Sequence, residues 1–421
     1  NCQGTVLYCY FNSEKCNTDA VGTNESGTVT NVEGKTTAQF ASGEVCYLLN
    51  EGKTDGTQIW YQNLTPETGD QSPIWKATGE NTVYQVTKYS GCEHEPGTSV
   101  ELYSNLNKDI YEGYTSEGTC SHGYQKAFFN STVNAYEISN VGQLFWFAGL
   151  VNGTLSDGTT QNLSANAVLV NDITVNTGVL TADGTLASDV SGFKVWTPIG
   201  NFKNQYKGTF DGQSHTVSGL YFDNSATDYV GLFGCIGSGG KITNVGVVDS
   251  YFYGKDEVGG VCGRNISASI SNCYSAGTVS GSSSFVGGVC GFNDNGNISN
   301  CYSASAVIGN TYVGGVCGNN HSGETSNCYS VGSVRGGTDV GGVCGKTNNG
   351  TISNCYSVGA VSGPTSVGGV CGNNYFSTIS NCYFDREECD KDAIGTRNGG
   401  IATNVEGKTT AQFVSGEVCY L

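Results

Sequence analysis

The 421-residue sequence has no methionine, 5 prolines and charged residues at only 13% of its positions. The low content of Lys and Arg, with a net charge of −18, argues against the basic patches that nucleic acids and anionic membranes bind, so we expect no nucleic-acid partner. No apolar run reaches the roughly eighteen residues that a membrane-spanning helix needs. We therefore expect no membrane insertion.

Glycine and cysteine are abundant instead, with 63 and 19 residues. The glycines recur among Val, Ile and Tyr, a pattern typical of short strands and tight turns. A hydrophobic content of 37% argues against disorder. Regularly spaced cysteines favour an oxidising compartment, so we expect an extracellular or cell-surface location.

The sequence repeats itself from Val258, where five copies begin with VGGVCG at a spacing of 28 residues once and 27 thereafter. A degenerate copy starts at Val230. Each copy contains strand-like pieces (VGGVCG, ISNCYS and a Gly-x-Val segment) and no helical periodicity. A unit this short cannot bury a face alone, but stacked neighbours can. The repeats predict an all-β fold, a parallel β-solenoid with one coil per repeat.

The stretch I-S-N-C breaks the strand alternation, because Ile270 and Cys273 are both apolar. A bend at Asn272 would turn both inward, since asparagine tolerates the left-handed conformation of a corner. The same asparagine recurs in every copy, which predicts a stacked amide ladder of Asn244, Asn272, Asn300, Asn327, Asn354 and Asn381.

Two cysteines stand eleven residues apart in each full copy, whereas the degenerate copy has Gly234 and Val245 at the matching positions. The two cysteines of a copy are thus either both present or both absent, which favours a disulfide between them within each coil. Bonds between stacked coils are the alternative, because neighbouring strands lie only ~4.8 Å apart. The intra-coil pairs would be Cys262–Cys273, Cys290–Cys301, Cys317–Cys328, Cys344–Cys355 and Cys371–Cys382.

The remaining cysteines suggest four more pairs and one residue left over. The predicted pairs are Cys16–Cys46, Cys389–Cys419, Cys92–Cys120 and Cys2–Cys9. Cys235 stays unpaired, either as a buried thiol or as a link to another chain. A C-x-H motif occurs twice, so a zinc site is an alternative to the Cys92–Cys120 disulfide. The zinc ligands would be Cys92, His94, Cys120 and His122.

The V-G-G-x-x-G…I-x-N-C-Y-S cycle resembles the GLUG-motif repeats of large bacterial cell-surface proteins. The resemblance covers residues 137–421 and extends to 1–56 by internal similarity. It implies a secreted or surface-exposed β-helix associated with adhesion or extracellular structure. This sequence departs from the family at Cys262 and its counterparts, where an aliphatic residue is usual. The stretch GQLFWFAGLVNG (residues 142–153) predicts a helix that caps the first coil.

Residues 9–48 match residues 382–421 without gaps at 28 of 40 positions. We interpret the first segment as the tail of a preceding β-helix, in a tandem array of units of about 373 residues. A single domain with a duplicated element is the alternative. The predicted division is a tail at 1–56, a small β-rich domain at 57–136, the first coils with the helix at 137–229, GLUG-type coils at 230–384 and a terminal segment at 385–421.

Residues for catalysis are scattered. His215 follows the Asp211-Gly212 turn, where we expect a local bond between His215 and Asp211. The acidic residues Asp256, Asp294 and Asp339 fall at different repeat phases, and no phosphate-binding glycine motif occurs, so we expect no enzyme activity, cofactor or further metal site.

The sequence thus favours an extracellular structural or adhesive protein, a disulfide-clamped solenoid module of a surface fibre or filament. A glycan-binding adhesin is the second hypothesis, with Trp60 and Trp75 as a sugar platform unless they form core. A polysaccharide-degrading enzyme is the third. The expected partners are copies of the chain itself, head to tail or in tandem, and surface glycans or host proteins.

Overall fold

A computed structural model describes residues 126–155 and 159–420, together with parts of the preceding chain (5–15, 28–35, 37, 40, 45, 49, 60–61, 74–75, 85–89 and 100–104). The chain forms two compact units, Asn1–Gln125 and Lys126–Leu421. The finer five-part division made from the sequence stays a prediction.

The described residues of the first unit form three pairs of strands. β1 (Thr5–Asn12) and β2 (Thr28–Lys35) run parallel. β3 (Trp60–Tyr61) pairs antiparallel with β4 (Ile74–Trp75), and β5 (Gln85–Tyr89) pairs antiparallel with β6 (Val100–Ser104). These pairs agree with the β-rich content predicted for this part of the chain.

The second unit opens with a hairpin and a buried helix. β7 (Phe128–Asn130) and β8 (Ala135–Ile138) are antiparallel, and α1 (Val141–Asn152) follows. Asn140 caps the helix by accepting a bond from the Gln143 amide, and Gly153 ends it with a φ of 70°. Nearly every helical residue is buried, and the Phe145 ring lies 5.2 Å from that of Trp196 in the first coils. The predicted helix is therefore present and packs where the sequence places it.

The first coils are irregular and become regular towards the repeats. Their strands are β9 (Ala167–Leu169), β10 (Ile173–Thr174), β11 (Thr209–Asp211), β12 (Thr216–Ser218), β13 (Tyr221–Asp223), β14 (Phe233–Ile236), β15 (Lys241–Thr243) and β16 (Gly246–Gly254).

The repeat coils follow one plan of four or five short strands, each paired in parallel with the same position of the next coil. One residue column, for example, runs Cys262, Cys290, Cys317, Cys344 and Cys371. This is the predicted parallel β-solenoid, with one coil per repeat. The strands are β17 (Val258–Gly259), β18 (Cys262–Ile266), β19 (Ser269–Ser271), β20 (Tyr274–Gly281), β21 (Ser284–Gly287), β22 (Cys290–Asp294), β23 (Asn297–Ser299), β24 (Tyr302–Ser303), β25 (Ala306–Ile308), β26 (Thr311–Gly314), β27 (Cys317–His321), β28 (Glu324–Ser326), β29 (Tyr329–Ser330), β30 (Val334–Arg335), β31 (Thr338–Gly341), β32 (Cys344–Asn348), β33 (Thr351–Ser353), β34 (Tyr356–Ser357), β35 (Val361–Ser362), β36 (Thr365–Gly368) and β37 (Cys371–Tyr375).

Two kinds of corner shape each coil. Asn272 has a φ of 54°, with Ile270 and Cys273 on either side only 0% and 1% exposed, so the bend predicted there is confirmed. The second corner divides VGGVCG into two strands, whereas the sequence suggested one piece. Glycine is required there because a Cβ on Gly314 would lie 2.0 Å from the Cys317 carbonyl oxygen.

β38 (Thr378–Asp385) completes the coil that contains β36 and β37. β39 (Ile394–Asn398) and β40 (Ile401–Lys408) stack on β37 and β38 as a further coil, which is followed by the short helices α2 (Thr410–Val414) and α3 (Glu417–Tyr420). Thr409 and Gln412 form a reciprocal capping box at the start of α2. β38 pairs in parallel with β40 from Thr378 opposite Ile401 to Asp385 opposite Lys408.

At the first cysteine position, the register of the degenerate copy differs by one residue from the register that the sequence spacing predicts. Phe233, rather than Gly234, lies opposite Cys262, and Cys235 lies opposite Arg264. The buried Phe233 ring therefore fills the position where the later coils have a thiol.

Candidate functional site

The residues predicted for zinc binding, Cys92, His94, Cys120 and His122, lie outside the described residues. In the described part of the chain, no cluster of three or more His, Cys, Asp or Glu side chains could hold a metal ion. Trp60 and Trp75, the predicted sugar-binding pair, occupy directly opposite positions of β3 and β4.

The predicted bond between His215 and Asp211 is wrong. His215 Nδ1 lies 3.3 Å from Asp172 Oδ1, while Asp211 accepts bonds from the Gln213 amide and from Asn244 Nδ2. The local turn engages the Asp211 carboxylate, and stacking of coils brings Asp172 to the histidine. The contact places the His215 ring beside the exposed Asp172 carboxylate at the surface.

The cysteines of the repeats form two buried columns, defined by Cys262 and its counterparts and by Cys273 and its counterparts. All ten side chains are 0–1% exposed. The Cys290 thiol contacts those of Cys262 and Cys317 in the neighbouring coils, and the Cys273 amide lies 3.4 Å from Cys301 Sγ. Burial raises the pKa of the Cys290 thiol well above its usual range.

These cysteines are thiols in the structure. The contacts described between one thiol and another join neighbouring coils, as the alternative pairing between coils would require. The intra-coil disulfides stay a prediction. Cys389, which is buried, and Cys419, which is exposed, are also thiols, whereas Cys2, Cys16 and Cys46 lie outside the described residues. Cys9 is exposed and Cys235 is buried in β14.

Asparagine side chains form two further columns. The predicted one lies at the Asn272 corner, where Asn272 Nδ2 donates to Asn244 Oδ1 at 3.0 Å and Asn300 Nδ2 donates to Asn272 Oδ1 at 3.2 Å. The sequence analysis missed the second column, which is buried. In it, Asn265 Nδ2 donates to Asn293 Oδ1, and Asn293 Nδ2 donates to Asn320 Oδ1, both at 2.8 Å.

Tyrosines from four successive coils stack with almost parallel rings. The ring centroids of Tyr274 and Tyr302 are 4.7 Å apart, and those of Tyr302–Tyr329 and Tyr329–Tyr356 are both 4.9 Å apart. Each ring face is covered by its neighbour, so the stack presents edges rather than flat faces to solvent. It therefore suits cohesion of the coils better than sugar binding, which uses exposed ring faces.

A surface strip of rings and cations is the best candidate for recognition. In its first half, the Arg264 guanidinium lies 5.6 Å from the centroid of Phe202 and 4.7 Å from that of Phe292. Arg264 also pairs with Glu257 at 3.0 Å and Asp294 at 2.8 Å. Two carboxylates thus neutralise this cation, and its role is to hold the rings in place.

In the second half of the strip, the positive charge is less neutralised by carboxylates. Lys346 Nζ lies 5.0 Å from the centroid of Tyr312 and 5.5 Å from that of Tyr375. Phe376, 60% exposed, meets Tyr375 edge to face at 4.7 Å. Neighbouring coils thus bring an ammonium group, a phenol and an exposed aromatic ring together at this end. Such a set can bind a ligand that has both hydroxyl groups and an apolar face, such as a sugar.

Glu257 is the electrostatically unusual residue of the strip. Burial raises its carboxyl pKa to about 7, although Arg264 pulls in the opposite direction. Glu257 Oε1 contacts Arg264, whereas Oε2 has no hydrogen-bond partner in the structure. The strip therefore contains a carboxyl group that titrates near neutral pH.

The strip is not visible in the repeat pattern because the residue types at its positions vary from copy to copy. Glu257, Phe285 and Tyr312 directly precede VGG motifs, and Arg264, Phe292 and Lys346 follow Cys262, Cys290 and Cys344 by two residues. Comparison of the repeats phase by phase, rather than by their shared letters, would have found both sets.

Comparison with known proteins supports the fold and the repeat family. The family model described as the GLUG motif matches residues 257–280 and 363–386, so the chain carries GLUG motifs and the resemblance seen in the sequence is confirmed. Halomucin of Haloquadratum walsbyi is 29% identical over 154 residues, 36% of this chain and 2% of that protein. A candidate Gly-rich membrane protein of Evansella cellulosilytica is 32% identical over 56 residues, 13% of this chain and 6% of that protein. The matches thus span a small fraction of these relatives.

One solved structure also resembles this chain. It is the crystal structure of a candidate immunoglobulin A1 protease from Bacteroides ovatus, with a TM-score of 0.51 and 21% identity, and it covers 73% of this chain and 93% of that one. At this identity the likeness bears on the fold alone. No helix in the described ranges is long and apolar enough to span a membrane. The GLUG motifs and the solenoid together fit an extracellular surface protein.

Proposed function

We propose that this chain is a structural and adhesive module of an extracellular surface fibre, without enzyme activity of its own. The observation that carries the proposal is the unbroken register of the repeat coils. Each position of one coil pairs with the same position of the next from Val258 to Tyr375. Residues of the same type then form columns of thiols, amides and stacked rings across several coils, and these columns hold one coil to the next.

These columns would make the module a stiff rod. Each coil contributes many backbone bonds to its neighbour, for example Val289 N–H to the Val316 carbonyl at 2.9 Å. Bending the rod would strain backbone bonds, the tyrosine stack and the buried amides together. Disulfides, within or between coils, would add covalent clips. The tandem array of units of about 373 residues is part of this proposal.

The first test is the mass of the native protein on a denaturing gel, with and without reductant. The proposal expects a reduced band far above the 44.0 kDa of this sequence, as a covalent array requires. A ladder seen only without reductant would replace the array by disulfide links between chains. A single band near 44.0 kDa in both lanes would refute the covalent fibre. Antibody labelling of intact cells, with permeabilised cells as the control, tests the surface location.

A glycan-binding role is the second candidate, and the exposed end of the strip favours it. Lys346, Tyr375 and Phe376 provide the combination of cation and ring face that sugars use. Phe376→Ala should abolish binding on a glycan array. Tyr302→Ala, in the edge-on tyrosine stack, is the matched control and should keep binding. Binding lost on Trp60→Ala or Trp75→Ala instead would move the site to the first unit.

A further inference from the structure

Two segments of the chain fold alike although they lie in different units. Residues 5–35, called here the twin coil, correspond to residues 378–408, the terminal coil, by a shift of 373 positions. β1 and β2 pair from Thr5 opposite Thr28 to Asn12 opposite Lys35. The terminal coil shows the same register, with every partner shifted by the same number of positions.

The side-chain contacts of the two segments also match. In the twin coil, Lys35 Nζ lies 3.0 Å from Glu33 and 5.9 Å from the Tyr10 ring centroid. The equivalent distances in the terminal coil are 3.0 and 5.7 Å. The Thr37 amide donates to Glu14 Oε2 at 3.0 Å, and the corresponding bond in the terminal coil is 3.2 Å. The twin coil is thus the same structural element, down to individual contacts.

The terminal coil closes the end of the repeat stack. Ile379 of β38 lies opposite Ile352 of β33, and Tyr383 lies opposite Tyr356 of β34. Ile379 is 0% exposed, and Cys382 and Phe384 are 0% and 4% exposed. Burial of these side chains against the preceding coil is what holds the terminal coil in place.

The twin coil carries the same contact residues. Val6 corresponds to Ile379, and Cys9, Tyr10 and Phe11 are identical to Cys382, Tyr383 and Phe384. We propose that the twin coil of one copy docks on the β33–β34 edge of a second copy in place of that copy's terminal coil, so that chains join by coil exchange. The partner is therefore a second copy of this chain. The proposal requires neither a covalent array nor a fibre on a cell.

One sequence difference between the twin coil and the terminal coil predicts which of them binds the β33–β34 edge more tightly. Asn381 has a φ of 51° and donates from Nδ2 to Asn354 Oδ1 at 3.2 Å, whereas the twin coil has Tyr8 at this position. A tyrosine cannot continue the amide column and adopts a positive φ only with strain. The chain's own terminal coil is therefore favoured, and exchange becomes visible when that coil is displaced. Tyr8→Asn should strengthen the exchange.

The test uses the full chain with Ile379→Asp and Cys382→Asp, which bury charges and release the terminal coil. We expect this variant to form oligomers by sedimentation velocity, with hydrogen-exchange protection of residues 351–357 that rises with protein concentration. Adding Val6→Asp and Phe11→Asp should return it to monomers and abolish that protection. Adding Tyr8→Asn instead should shift the oligomers to lower concentration.

A chain of residues 1–377 provides the second variant, because it has no terminal coil left to interfere. Oligomers that persist after Val6→Asp and Phe11→Asp, in either variant, would show non-specific association and overturn the proposal. Monomers of the 1–377 chain at every concentration would also overturn it. Both results leave the gel test of the native protein unaffected, so failure of coil exchange and failure of the proposed fibre can be told apart.

Discussion

The buried asparagine column makes a quantitative prediction about what holds the coils in register. Asn265, Asn293 and Asn320 are each 0% exposed, and their amides form a chain of bonds through three coils. Asn293 is the central member, and its Nδ2 also donates to the Gly296 carbonyl at 3.0 Å. We expect Asn293→Ala to be among the most destabilising single substitutions in the repeats.

The magnitude follows from the bonds that the substitution removes. Asn320 Oδ1 loses the donor described for it, whereas Asn265 Nδ2 keeps the Ala268 carbonyl and the Gly296 carbonyl keeps the Glu324 amide. A buried polar group without its partner costs about 1–3 kcal/mol, and two further bonds are lost, so the free energy of unfolding should fall by about 2–3 kcal/mol. The matched control is Asn300→Gly in the exposed column. It removes one rung, keeps the positive φ of 54° accessible and should cost less than about 1 kcal/mol.

The same column offers a stabilising change. Thr347 interrupts it, and Asn374 Oδ1 beyond the interruption has no hydrogen-bond partner in the structure. Thr347→Asn should restore the chain and raise the free energy of unfolding by about 1 kcal/mol. Urea unfolding followed by far-ultraviolet circular dichroism measures all three variants. If Asn293→Ala costs no more than Asn300→Gly, the buried column does not secure the register.

Three further predictions concern other parts of the solenoid. Burial raises the Glu257 pKa from 4.5 to about 7, so the stability contributed by the protonated carboxyl is complete below pH 4.5 and is lost as the pH rises through 7. The free energy of unfolding of the wild type, relative to that of Glu257→Gln, should therefore fall by about 3 kcal/mol between these pH values. A difference between the two proteins that does not change with pH would contradict this. In the reduced native chain, iodoacetamide should leave both thiol columns unmodified and should label them only after unfolding, as mass spectrometry of the digest can show; labelling of native Cys317 would refute their burial. Gly314→Ala places a Cβ 2.0 Å from the Cys317 carbonyl oxygen, so thermal unfolding should occur several degrees lower than in a matched Gly192→Ala control, whose added Cβ meets no atom within 4 Å.

The sequence predicted those features that recur in every repeat. The period, the strand-like pieces and the asparagine before each SNC cysteine specify stacked coils and their corner, because one local rule applied five times leaves few alternatives. The helix at 141–152 was predictable for a different reason, since it has a capping asparagine, an apolar run and a terminal glycine.

The features that were missed depend on contacts between coils. The bond from His215 to Asp172 joins residues 43 positions apart in irregular coils, where no repeat fixes the partner. The register of Phe233 opposite Cys262 depends on how one extra residue is accommodated, which letters alone do not specify. The strip of rings and cations was missed because the residue types at its repeat positions differ from copy to copy.

The proposed coil exchange and the proposed stiffness of the solenoid would depend on the same interactions between coils. The terminal coil presents an inward aliphatic residue, a thiol and an aromatic ring (Ile379, Cys382 and Phe384) at the spacing of the buried residues in the coil before it. A shift of one residue would turn each inward side chain to solvent, so the columns reject strands of other sequence and accept only coils of the same pattern. Coils of this chain are therefore expected to pair best with other coils of the same chain. A second segment with the same pattern, Val6, Cys9 and Phe11, is then a competitor for the same edge, and the asparagine absent at Tyr8 keeps the chain's own coil in place.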